Sequence, residues 1–300
     1  MVEERRRTVG LAADRLRVEL VPAIGGAIAR FDYRDGGRWI EVMRGASVDG
    51  LRQGDPRAME SFPMIPYCGR IRNATFRFEG HTYALVRNFG EAPVSIHGNA
   101  WQRSWTVEAV ASTAARLRLE HDPSDAPGEW PFRYRARQSF TVAPGMLEVT
   151  IELTNLDPRP MPAGFGLHPY FPSTPGAKLT ASVAGMWGSN ASLIPKRHVP
   201  VRPAFGRIAD LNLDTCFTGW TGRATIEWPE RGLGLEIEAD PVFGNLVIYT
   251  PPSRAFFCVE PESAVPDAFN LAADGVTETG AVVLAPGETC AGHIRFRSVS

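Results

Sequence analysis

Period-two alternation of apolar and polar residues is the dominant signal along this chain. In Leu147-Glu148-Val149-Thr150-Ile151-Glu152-Leu153-Thr154 every odd position is apolar and every even one polar. Successive side chains of a strand point to opposite faces, so this run predicts a strand with one buried and one wet face. Leu16-Arg17-Val18-Glu19-Leu20, Arg116-Leu117-Arg118-Leu119-Glu120, Leu233-Gly234-Leu235-Glu236-Ile237-Glu238 and His293-Ile294-Arg295-Phe296-Arg297 repeat the pattern. Thr75-Phe76-Arg77-Phe78, then Glu79-Gly80, then His81-Thr82-Tyr83-Ala84-Leu85, reads as a hairpin with Gly at its turn. Helical signal is thin. Asn99 to Asp122 is the longest stretch free of Gly and Pro. Trp105 and Val107 before its Ala-rich middle, and alternating Leu117 and Leu119 after it, favour two strands there. One wet face per strand is the mark of antiparallel sheets, so a large antiparallel all-β fold is expected.

No composition shift or fixed-period repeat divides the chain, which is read as a single domain over residues 1–300. Pro158-Arg159-Pro160-Met161-Pro162 reads as a rigid connection, and Pro195 to Pro203 as a long loop. Gly25-Gly26 reads as a plain turn, because the strand–GxGxxG–helix setting of a dinucleotide site is missing.

Gly and Pro make up 54 of the 300 residues, which fits many turns. The net charge of −1 gives no electrostatic reason to expect nucleic acid. No apolar run approaches the roughly 20 residues that a membrane span needs. Met1-Val2-Glu3-Glu4-Arg5-Arg6-Arg7 has no apolar stretch behind it and is not read as a secretory signal. Cys68, Cys216, Cys258 and Cys290 form no CxxC pair. Zinc-type spacing is thus absent, and the expectation is reduced thiols in a cytoplasmic protein.

The residues that could carry chemistry are few. His81, His121 and His293 lie in or beside alternating runs and read as solvated; His198 reads as a loop residue. His97, in Ile96-His97-Gly98-Asn99, sits where an apolar strand end meets a Gly turn. His168, in Gly166-Leu167-His168-Pro169-Tyr170-Phe171, is collared by aromatics. Desolvation lowers a histidine's pKa and a nearby carboxylate raises it, so either residue is a candidate for acid–base work. Glu260 follows Phe256-Phe257-Cys258-Val259 and precedes Pro261, so it is read as ending a buried strand. A desolvated carboxylate there is a candidate base. Arg70 and Asp214 are further charges in apolar, turn-rich settings. Gly-x-Ser-x-Gly is absent.

Taken in order, these segments resemble the aldose 1-epimerase (galactose mutarotase) family. The matching stretches are Pro66-Tyr67-Cys68-Gly69-Arg70-Ile71-Arg72-Asn73, His97-Gly98, Gly166 to Phe171, Leu213-Asp214-Thr215-Cys216-Phe217-Thr218-Gly219, and Tyr249-Thr250-Pro251-Pro252 leading to Val259-Glu260-Pro261. Leu20 to Gly26 and Pro266-Asp267-Ala268-Phe269-Asn270 fit as well. The resemblance implies a large antiparallel β-sandwich with a sugar cleft on a concave sheet face. It implies Glu260 as general base and His168 as general acid, with Arg70, His97 and Asp214 holding the sugar.

The implied reaction interconverts the α- and β-anomers of a free aldose by ring opening and reclosure. It needs no metal, nucleotide or other cofactor. Trp101, Trp105, Tyr170 and Phe243 are candidates for stacking on the sugar. A hexose 6-phosphate substrate would need a basic cluster, for which Arg72, Arg103, Lys196 and Arg197 are available. A non-catalytic carbohydrate-binding module is the other alternative. Oligomeric state is left open.

Overall fold

The computed structural model describes residues 8–190, 193–203 and 205–299, so Met1 to Arg7 lie outside the described residues. Two antiparallel sheets carry the fold. One has nine strands in the order Thr106–Val110, Ala114–His121, Tyr134–Ala143, Met146–Asn155, Thr289–Val299, Leu233–Ala239, Arg223–Trp228, Lys178–Ala181 and Gly206–Arg207. The alternating runs of the sequence gather here. In Met146–Asn155 every second residue is buried, and the others face outward. Cross-strand ion pairs such as Arg295–Glu148 and Arg137–Glu108 line that outer face.

The second sheet runs Val9–Ala13, Leu16–Val21, Ala27–Asp35, Ser61–Met64, Gly166–Pro172, Phe256–Glu262, Asn245–Tyr249, Asp214–Thr218, Gly185–Ser189 and Pro195–Pro200, with Arg38–Glu41 paired to Ala27–Asp35. Its inner face packs on the nine-stranded sheet. Phe31 meets Phe296 at 6.3 Å between ring centroids, and Trp228 donates from its indole to the Pro172 carbonyl at 2.8 Å. Its other face is also covered, by loops and the short pair Arg70–Arg72 and Val94–Ile96. Gly166–Pro172 is accordingly buried at every position.

Thr75–Phe78 and His81–Ala84 form the expected hairpin, and Thr106–Val110 and Ala114–His121 are the two expected strands. Three local expectations are corrected. Pro195–Pro200 is a strand on Gly185–Ser189, not a loop; as an edge strand it tolerates prolines that a central one would not. Glu260 does not end its strand, which runs to Glu262. His121 is buried rather than solvated, because it takes the inward parity of Ala115, Leu117 and Leu119. It contacts the Trp130 carbonyl at 2.8 Å and Asn99 at 3.1 Å. No helix among the described residues is long and apolar enough to cross a membrane.

Candidate active site

Strand parity places the two central residues. In Gly166–Pro172, Leu167 and Phe171 point into the core between the sheets, which leaves His168 and Tyr170 on the other face. In Phe256–Glu262, Phe257 and Val259 point into that core, so Cys258, Glu260 and Glu262 share the cleft side. The pairs Gly166↔Glu262 and Tyr170↔Cys258 bracket the junction, and counting inward from both sets His168 opposite Glu260. Pro169 and Pro261 flank this level and have no N–H to give the ladder. His168 Nε2 lies 3.5 Å from Glu260 Oε1.

A second set of elements closes the cleft. Asp214 heads the strand beyond Asn245–Tyr249 and meets Arg70 at 3.7 Å. His97 holds a left-handed backbone at φ 57°, one residue before Gly98 at φ 69°. The Gly69 N–H donates to His97 Nδ1 at 3.2 Å, which assigns the ring proton to Nε2. The His97 ring stands edge-on to His168 with centroids 5.3 Å apart. Arg70, His97, His168, Asp214 and Glu260, separated by up to 190 residues in sequence, thus line one open cleft of about 1010 Å³.

Burial dominates the electrostatics. It pushes His168 down to about 3, with Arg44 and Arg70 adding to the effect. It pushes His97 well below the usual imidazole value, helped by His168 and Arg70. Glu260 is raised well above the carboxylate range by burial, then by Glu262 and Asp214, with Arg70 opposing. Asp214 is raised by burial against the pull of Arg70. Burial thus opposes charge on both imidazoles and on Glu260. His168, Cys258 and Glu260 also place potential metal-ligand atoms within 4.8 Å of one another, a grouping that sequence spacing hid.

Of the stacking candidates, Trp101 and Tyr170 line the cleft, whereas Trp105 and Phe243 belong to the core. Phe62 and Phe256, not singled out from sequence, join the cleft wall; Phe62 stacks on Trp101 at 5.3 Å and lies 4.6 Å from His168. The four basic residues proposed for a phosphate do not gather there. Arg72 pairs with Asp267 and Asp274, Arg103 pairs with Glu129, and Lys196 and Arg197 are exposed on the edge strand. Arg44, Arg57 and Arg254 line the cleft instead. Arg44 is tied down by the Arg57 and Met59 carbonyls and lies over the Tyr170 ring at 4.1 Å.

The stretch Pro266 to Asn270 acts behind the site. Asp267 accepts from the Arg72 backbone N–H at 3.1 Å, and its own N–H donates to the Arg70 carbonyl at 2.7 Å. Asn270 donates to the Thr75 carbonyl at 2.8 Å. These bonds fix the backbone that carries Arg70. Sequence position alone gave them no role.

Comparison with known proteins agrees with this architecture. A candidate aldose 1-epimerase from Escherichia coli K12 superposes with a TM-score of 0.86 at 24% identity, covering 98% of this chain and 99% of that one. A galactose mutarotase-like protein from Clostridium acetobutylicum gives 0.84 at 17% identity, covering 97% and 94%. In sequence, the uncharacterised protein YphB of Escherichia coli (strain K12) is 27% identical over 285 residues, which is 89% of this chain and 95% of YphB. Residues 8–297 match the model of the aldose 1-epimerase family, and the chain belongs to that family.

Proposed function

We propose that this protein interconverts the α- and β-anomers of a free aldose by general acid–base catalysis. The observation that carries the proposal is the 3.5 Å contact between His168 Nε2 and Glu260 Oε1 at the floor of an open cleft. In a cyclic hemiacetal the C1 hydroxyl oxygen and the ring oxygen are bonded to one carbon. One group must take the C1 hydroxyl proton while the other gives a proton to the ring oxygen as the C1–O bond breaks. Rotation about C1–C2 and reversal of both transfers close the ring on the other face.

The pair needs one proton in total. Burial favours that proton on Glu260 over His168. Passing it to His168 gives the carboxylate base and imidazolium acid that the resemblance implies. Both states hold the same proton count, and the two groups exchange roles on reclosure. His97, with its proton on Nε2, donates into the cleft. Arg70 offers fixed donors beside the charge that develops during opening, and Asp214 accepts from hydroxyls.

The test is polarimetry or exchange NMR over free and phosphorylated sugars with wild type and Glu260→Gln. The amide keeps the shape but cannot take a proton, and general acid–base catalysis contributes about 10²–10⁴-fold. A loss of that order is expected with sugar binding retained. A Glu260→Gln variant keeping more than about half the rate removes Glu260 from the mechanism.

A further inference from the structure

The cleft contains a carboxyl that the proposed proton transfers do not use. Glu262 is 0% exposed, yet it is part of the cleft wall. Neither carboxyl oxygen has a hydrogen-bond partner among the described residues. Arg70 is the nearest compensating charge, and its ion pair is with Asp214. Its strand neighbours in register are Gly166 on one side and Asn245 on the other. Asn245 is itself committed, donating to the Ser263 carbonyl at 3.0 Å.

A buried carboxyl without partners is destabilising to the fold. The flanking strand carries the apolar Val247 on the same cleft face. In a cleft wall such a carboxyl is placed to be completed by a ligand. The position also fits a ring. Glu262 lies two residues beyond Glu260 on the same strand face, so about 6.6 Å further along the strand at the usual rise. A sugar lying along the strand with its anomeric oxygens at Glu260 and His168 can bring one further hydroxyl to Glu262. Arg70 pairs with Asp214 and is also the compensating charge for Glu260 and Glu262. Neutral hydroxyls can donate to carboxyl oxygens.

We propose that Glu262 is a specificity-determining residue whose carboxyl accepts a hydrogen bond from one non-anomeric hydroxyl of a neutral aldose. The proposal rests on the reading of the cleft as a sugar site. Removing that hydroxyl from the substrate leaves Glu262 unsatisfied in the complex, so the wild-type protein discriminates against one particular deoxy sugar. Removing the carboxyl abolishes the discrimination.

The experiment uses D-galactose, D-glucose and their 2-, 3-, 4- and 6-deoxy analogues. Anomer exchange is followed by NMR and binding by saturation transfer, for wild type, Glu262→Gln and Glu262→Ala, with circular dichroism to establish folding. The expected result is that wild type disfavours one deoxy sugar by at least about tenfold in kcat/KM, the scale of leaving one buried polar group unsatisfied. In Glu262→Ala the parent sugar falls to the level of that deoxy sugar, and Glu262→Gln lies between. An unchanged deoxy pattern in folded Glu262→Ala overturns the proposal, as does a wild type indifferent to every deletion. Sugars that bind without exchanging would refute the reaction proposed above, while the binding pattern would still decide the role of Glu262. If no aldose binds, both readings fall.

Discussion

Gly98→Ala tests how the site is held. Gly98 has φ +69°, and a Cβ built there would lie 1.8 Å from the Ile65 carbonyl oxygen, 2.2 Å from its carbon and 2.5 Å from Pro66 N. All three are backbone atoms, so no side chain can swing aside. The left-handed conformation alone costs an L-residue about 1–2 kcal/mol. Relieving the clash means parting the two backbone segments. That sacrifices the bonds Ile65 N–H to His97 O (3.2 Å), Asn99 N–H to Ile65 O (3.1 Å) and Ala100 N–H to Ile65 O (3.2 Å). At about 1 kcal/mol each, the total loss is about 4–5 kcal/mol. For a chain of this size that lowers the melting temperature by about 6–8 °C.

Gly90→Ala is the matched control. It has φ +56° and nothing within 4 Å of the added Cβ, so it bears the conformational cost without the clash. Thermal and urea unfolding of both variants isolate the clash contribution. His97 is the residue displaced, so Gly98→Ala should also lose anomer exchange by about 10²-fold, the cost of an ångström-scale misplacement. Equal destabilisation of the two variants would refute the reasoning.

Three further outcomes are expected. Glu60 is fully buried beside Asp32 and Glu41, and burial followed by those two charges raises it well above the carboxylate range. A raised folded value means that stability is present below the unfolded value near pH 4.5 and declines above it, by about 1.4 kcal/mol per pH unit until the folded group ionises. Glu60→Gln should therefore show a growing stability advantage from pH 5 to pH 8 in urea titrations; an advantage independent of pH would count against it. In activity, with His168 near 3 and Glu260 raised, the pair keeps its single proton through the acid range. The blank-corrected kcat/KM should hold at pH 5 and fall only on the alkaline side, and an acid decline centred between pH 5 and 6.5 in folded protein would contradict the assignment. EDTA should leave exchange intact, because both proton transfers use protein groups; loss restored by one divalent ion would place a metal at His168, Cys258 and Glu260.

What was legible in the sequence follows from which strands have a wet face. Met146–Asn155 announces itself because its outward residues meet water and are Glu and Thr. The strands that carry the site are covered on both faces, so the same parity is present without the polar marker. Phe256-Phe257-Cys258-Val259 looks uniformly apolar, although Phe257 and Val259 face the core while Cys258 faces the cleft. For that reason Glu260 looked like the end of a strand, and Glu262, hidden behind Pro261, went unnoticed although its i+2 spacing from Glu260 puts it on the same face. Trp105 and Phe243 were indistinguishable from Trp101 and Tyr170, since aromatic character does not say which side of a sheet a ring occupies. The five site residues were reached through their ordered local settings and the family likeness, because their meeting depends on strand order that no local pattern encodes.

The resting charge state ties these features together. Burial at the cleft floor makes an isolated ion expensive, and Arg70, His97, His168, Asp214, Glu260 and Glu262 line that cleft. Burial opposes charge on both imidazoles and on Glu260. Such a surface suits a neutral polyol, which brings hydroxyl donors and acceptors and no charge of its own. On the proposed reading, charge separates only while the ring opens, where low dielectric makes the fixed donors of Arg70 and His97 most effective. Those donors are fixed by bonds made elsewhere: the Gly69 N–H orients His97, and Asp267 holds the backbone of Arg70. A variant that loosens this support without touching the cleft, such as Asp267→Ala, which removes the acceptor of the Arg72 N–H two residues from Arg70, should therefore lower kcat more than it changes sugar binding. An effect confined to binding would mean that Arg70 serves to hold the sugar and takes no part in stabilising the opening ring.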